Sequence, residues 1–165
     1  MYSVAVLEPV SGKVTGLLCD WLVRRACGPS VVVTRGDGLD AFSGAYDLFV
    51  VGAGPRFEAE GPVRTVTPTC RALLTPSGED TETLGISAQW VVGYGLAARD
   101  SLTVSSLEPD QAVLALQREL PTLTGTVIEQ QELPISIPPG TGAQVAMALY
   151  GSLLVLGVLP EELGA

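Results

Sequence analysis

The chain has 165 residues, 47% hydrophobic and only 16% charged, so it carries enough apolar surface for one buried core and is too apolar for a disordered tail. It contains no histidine, which excludes Ser-His-Asp and Cys-His catalysis, histidine-ligated zinc and an imidazole general base. A net charge of −9 repels phosphate backbones, so nucleic acid is not an expected partner.

In chain order, Val4-Ala5-Val6-Leu7 is a short apolar strand and Glu8-Pro9-Val10-Ser11-Gly12 a loop. Residues 13–26 have helical spacing, with Leu17, Leu18, Trp21 and Leu22 on one side and Asp20, Arg24 and Arg25 on the other. Gly28-Pro29 stops that helix, and 30–34, rich in valine, is a second strand followed by a loop over 35–40. Tyr46-Asp47-Leu48-Phe49-Val50-Val51 is a third strand, closed by Gly52-Ala53-Gly54-Pro55. Unalternating apolar runs of this kind suit a parallel sheet buried on both faces. Further short strands are expected at 63–66, 71–74 and 89–93. Beyond Tyr94 the pattern alternates, at 101–105, 111–116 and 126–133, which predicts an antiparallel annex. Pro138-Pro139-Gly140 then leads into a helix over 142–156, and Pro160 opens a last short one.

The expected fold is α/β: a three-layer, P-loop or Rossmann-like, mostly parallel sheet with a C-terminal antiparallel β annex and a closing helix. All 165 residues form one domain, divided into a parallel part (1–95), the annex (96–140) and the closing helix (141–165).

Cys19, Cys27 and Cys70 are an odd set without metal-ligand spacing and are expected to be small buried thiols in a reducing compartment. The amino terminus lacks the basic start of a signal peptide, so a cytoplasmic protein is expected. No charge occurs between Leu133 and Pro160, and 143–159 is largely apolar. A membrane-associated helix is one reading of that stretch. A helix covered by the sheet is the expected one, because Gln144, Tyr150 and Ser152 interrupt the run and no Lys or Arg flanks it.

The single lysine stands in Glu8-Pro9-Val10-Ser11-Gly12-Lys13-Val14-Thr15, between a strand and a helix. Glycine lets backbone N–H groups approach phosphate oxygens, a helix amino terminus favours anions, and a lysine reaches the outer phosphates. Ser11, Gly12, Lys13 and Thr15 are therefore the candidate phosphate- or nucleotide-binding residues, with ATP or another phosphate ligand as the implied cofactor. Val14 stands where a full P-loop has its magnesium-binding hydroxyl. The bland alternative is a turn glycine and a solvated lysine. Gly52-Ala53-Gly54-Pro55-Arg56-Phe57 has the first half of a dinucleotide fingerprint without its third glycine or its helix, and is expected to be a turn. Asp37, Asp40, Asp47, Glu79, Asp80 and Glu82 show no spacing that requires a metal, and Thr103, Ser105 and Ser106 have no visible base. No catalytic or metal-ligating residue is assigned.

The opening 4–15, followed by a helix, Gly28 and the strand Val31-Val32-Val33, resembles the start of the central ATPase domain of the Mur ligases, which open with a T-G-T-N-G-K-[ST]-T loop. Trp90-Val91-Val92-Gly93-Tyr94-Gly95-Leu96 is similar to that family's strand ending in an aromatic-glycine pair. Leu156-Gly157-Val158-Leu159-Pro160-Glu161-Glu162-Leu163 is similar to its domain end. The resemblance implies a P-loop ATPase fold, with Gly12 and Lys13 matching the loop. Pro9, Ser11 and Val14 depart from it, and there is neither histidine nor a second lysine for the family's later motifs. The ligase's substrate-binding and closing domains are not represented in these 165 residues.

The resemblance with its departures implies a degenerate domain that does not ligate and acts as a binding or regulatory module in a bacterial cytoplasm, through a homo-oligomer or a protein partner. The alternative is a small nucleotide- or phosphate-metabolite-binding enzyme using the Gly12-Lys13 loop. A third reading, a membrane-associated accessory protein, requires the 143–159 segment to be an anchor.

Overall fold

A computed structural model of the chain describes residues 1–25, 30–53, 67–78 and 84–163. The unalternating runs become interior strands: β1 (Tyr2–Leu7), β3 (Ala45–Val51) and β4 (Thr69–Pro76) each carry four consecutive buried residues. They lie side by side and parallel, with β2 (Val31–Gly36) beyond β1 and β5 (Ser87–Tyr94) beyond β4. β2 is the sheet edge, which explains its mixture of exposed and half-buried positions.

β6 (Leu102–Leu107) joins the same sheet through a short parallel pairing of Tyr94 with Leu102. β7 (Gln111–Leu116) and β10 (Gln131–Ser136) extend it antiparallel. The full order is β10-β7-β6-β5-β4-β3-β1-β2, so the expected annex is a continuation of the parallel sheet. Its alternating burial matches strands with one exposed face.

The expected strand over 126–133 is two strands. β9 (Val127–Ile128) pairs with β8 (Leu120–Pro121) in a small separate ribbon, and β10 starts at Gln131. The reason is parity. Ile128 and Leu133 both face the same core, yet they are an odd number of residues apart, and one regular strand cannot point both to one face. The expected loop over 35–40 likewise shortens, because β2 runs on to Gly36 and a 3-10 turn occupies Leu39–Ala41. The expected strand at 63–66, the Gly28-Pro29 stop, Cys27, Gly54 to Phe57, and Glu79, Asp80 and Glu82 lie outside the described residues.

Helices α1 (Val14–Arg25) and α2 (Ala143–Val155) pack side by side on one face of the sheet. α2 is buried from Ala146 to Val155, held between the strands, α1 and the β8–β9 ribbon, whose Leu123 N–H donates to Val155 O at 2.8 Å. Gly151 lets the helix lie close to the sheet: a Cβ there would lie 2.7 Å from Leu102 Cδ1. The uncharged stretch is therefore a core helix, and among the described residues no helix is long and apolar enough to cross a membrane. α3 (Pro160–Leu163) closes the described chain and buries Leu163.

On the opposite face Ala5, Leu7, Phe49, Val51 and Leu73 pack with Phe42, Leu84 and Ile86. Phe42, Tyr46 and Phe49 form an edge-to-face trio there with ring centroids 4.9 to 6.1 Å apart. Cys70 is buried in this second core and Cys19 is half-buried on α1, both as free thiols. Burial pushes the Cys70 thiol up to about 12.

Candidate functional site

In open α/β sheets ligands enter the crevice beyond the carboxyl ends of the strands, where successive connections diverge. Here that point lies at the end of β1, which has β2 on one side and β3 on the other. The loop after β1, Gly52-Ala53 after β3 and residues 140–145 at the start of α2 surround a cleft of about 290 Å³.

The four candidate residues meet at the first turn of α1. Ser11 is exposed. Gly12 N–H donates to Pro9 O at 2.8 Å, closing a tight turn. Lys13 Nζ donates to Gly140 O at 2.8 Å, tying the loop to the entry of α2. Thr15 N–H points into the site, while its hydroxyl is buried without a partner. Val14, which follows the Gly12-Lys13 pair, is a buried apolar residue.

The residue that organises the site is Glu8, a plain loop position by its sequence pattern. It is 1% exposed. Its Oε2 accepts the Val14 N–H at 3.0 Å, its Oε1 accepts the Thr15 N–H at 3.2 Å, and Arg35 Nε lies 3.4 Å from Oε1. Arg35 also donates to Pro9 O, fixing the loop from the β2 side. The amino end of a helix presents unpaired N–H groups and partial positive charge, which favour an anion. In a phosphate-binding loop that anion is the ligand. Here the chain supplies its own carboxylate, from six residues upstream.

Gly12 fits this arrangement, since a Cβ on it would lie 2.5 Å from Glu8 Oε2. The glycine that reads in sequence as room for a phosphate is room for Glu8. Gly52 serves the same packing: its N–H donates to Leu7 O at 2.8 Å and a Cβ there would press on Glu8 Cβ at 3.1 Å. A sequence signal for Glu8 existed in its place, an acid directly after a buried strand and four residues before a glycine. Its inward turn has no local signature.

Of the acidic residues considered from sequence, Asp37, Asp40 and Asp47 lie elsewhere. Asp47 lies at the amino end of β3, accepting the Ser3 N–H at 2.8 Å and facing Arg71 at 3.6 Å. Asp37 and Asp40 are exposed and carry no ion pair among the described residues. Among those residues no group of three His, Cys, Asp or Glu could hold a metal ion. No protein-family model, no curated protein and no solved structure matches this chain.

Proposed function

We propose that the chain is a degenerate, Mur-ligase-like central domain that does not ligate and serves as a binding or regulatory module in a bacterial cytoplasm, working through a protein partner or further copies of itself. The observation that supports this reading is the Glu8 carboxylate seated on the Val14 and Thr15 N–H groups. Ligation through an acyl phosphate needs a nucleotide whose phosphates take those donors. A phosphate entering here meets donors already used and a fixed negative charge, and no hydroxyl at position 14 to hold magnesium. Lys13, spent on Gly140 O, acts as a brace between the loop and α2.

The test is calorimetric titration with ATP, ADP and inorganic phosphate, with and without magnesium, on the wild type and on Lys13→Ala. The expected result is no binding that depends on Lys13. Micromolar, Lys13-dependent binding would overturn the proposal and favour the alternative, a small nucleotide- or phosphate-metabolite-binding enzyme, for which the open cleft between the loop and α2 already offers space.

A further inference from the structure

A second cleft, of about 350 Å³, lies beyond the carboxyl ends of β4 and β5, away from the Gly12-Lys13 loop. Thr75, Ser77, Arg99, Asp100, Ser101 and Arg118 line it. We propose that this cleft binds the phosphoryl group of a small molecule, with Arg99 and Arg118 as the charged donors and the Ser77 and Ser101 hydroxyls beside them.

The arginines come from distant elements and are held together by one network. Arg99 stands on the turn between β5 and β6. In that turn the Asp100 carboxylate, 3% exposed, accepts the Ala97 N–H at 2.9 Å. Arg118 follows Gln117, whose side-chain amide donates to Ala97 O at 3.2 Å and to Asp100 O at 2.8 Å, while its backbone N–H donates to Ser101 O at 2.8 Å. Gln117 therefore pins the end of β7 to the turn that carries Arg99. From the other side Ser77 N–H donates to Tyr94 O at 2.8 Å, and Gly95 allows the strand ends to close up, since its Cβ would lie 2.7 Å from that of Ser77. The guanidinium of Arg99 lies near Gly78, whose Cβ position is 3.9 Å from Nη2.

Two further observations point to a ligand. In a chain of net charge −9, both arginines are exposed and carry no ion pair or hydrogen bond among the described residues. Thr75 lines the same cleft, is 3% exposed and has a hydroxyl without a partner. Among the described residues that line it, the two guanidiniums face one carboxylate, Asp100, with one of its oxygens turned to the Ala97 N–H. The described lining therefore carries more positive than negative charge. Forked guanidiniums match the several oxygens of a phosphoryl group. At this volume it takes a small metabolite, near the lower end of ordinary ligand sites.

The test is titration with inorganic phosphate and glycerol 3-phosphate at fixed ionic strength, read by calorimetry and by the amide NMR shifts of Ser77 and Ser101. Malonate serves as the carboxylate arm, and Arg99→Ala, Arg118→Ala and Lys13→Ala as variants. Expected are shifts at both amides, a loss of affinity of about 10-fold or more in each arginine variant, and unchanged binding in Lys13→Ala. Arg99→Lys and Arg118→Lys, which keep charge without the fork, should retain part of the affinity. No shift at millimolar phosphate, or equal binding in both arginine-to-alanine variants, overturns the site, and tighter binding of malonate overturns its assignment to phosphoryl groups. Failure here leaves the closed-loop reading standing, since that reading is measured through Lys13.

Discussion

Glu8 combines two tasks in one side chain: it caps α1 through the Val14 and Thr15 N–H groups and neutralises Arg35. Replacing it by alanine strands two N–H groups and leaves Arg35 without its counter-charge. Losing such a cap and its charged hydrogen bonds costs about 1–3 kcal/mol, so Glu8→Ala is expected to lower the urea midpoint by that equivalent. Glu8→Gln, which still accepts through one oxygen, is expected to lie between the two in the same titration. The positions Ser11, Gly12, Lys13 and Thr15 were legible because their order between a strand and a helix is itself local. The anion that faces them was not, because nothing in the residue order shows that a glutamate folds back onto a helix beginning six positions later.

At the scale of elements, α2 shows most clearly how far patterning reaches. Its 13 residues extend about 20 Å, too short for a bilayer core of about 30 Å. The uncharged run announced a helix with no polar face, and only the sheet, α1 and the β8–β9 ribbon around it explain why none is needed. Leu153, fully buried in its middle, is expected to cost about 2–5 kcal/mol as Leu153→Ala in chemical denaturation. Val23 on α1 is 78% exposed, and Val23→Ala should stay within about 0.5 kcal/mol of the wild type in the same experiment. The parallel strands were legible for the same reason as α2, since burial on both faces leaves an unbroken apolar signature. The region 126–133 reads as one strand from its near-alternating composition, and the change of parity between Ile128 and Leu133 marks the break between two pairings.

For the whole molecule, stability should fall in alkali. Burial raises the Cys70 thiol to about 12, and it also raises Cys19, with the nearby Asp20 adding to the effect. The Tyr150 phenol is raised by burial too, although the charge of Arg25 opposes the change. The folded chain therefore holds these protons after the unfolded chain has lost them. The contribution is complete below the ordinary thiol value of 9.0 and is lost as pH rises from there towards 12. For Cys70 alone the decline is about 1 kcal/mol per pH unit across that window. Urea unfolding from pH 8 to 11 should show it, and Cys70→Ala should give a shallower alkaline limb; an equally steep limb would place the effect elsewhere.

The sequence by itself determined the α/β class, the buried parallel strands, the two principal helices and the absence of histidine chemistry, because periodicity, β-branching and composition are properties of neighbouring residues. It also placed a glycine and a lysine at the entry of the first helix. Tertiary structure decided what those residues face. It brought Glu8 and Arg35 onto the helix start, tied Lys13 to Gly140 across the molecule, and joined the turn after β5 to the end of β7 through Gln117. These are contacts between groups far apart along the chain, and their energies depend on distances and burial that exist only once the sheet has assembled.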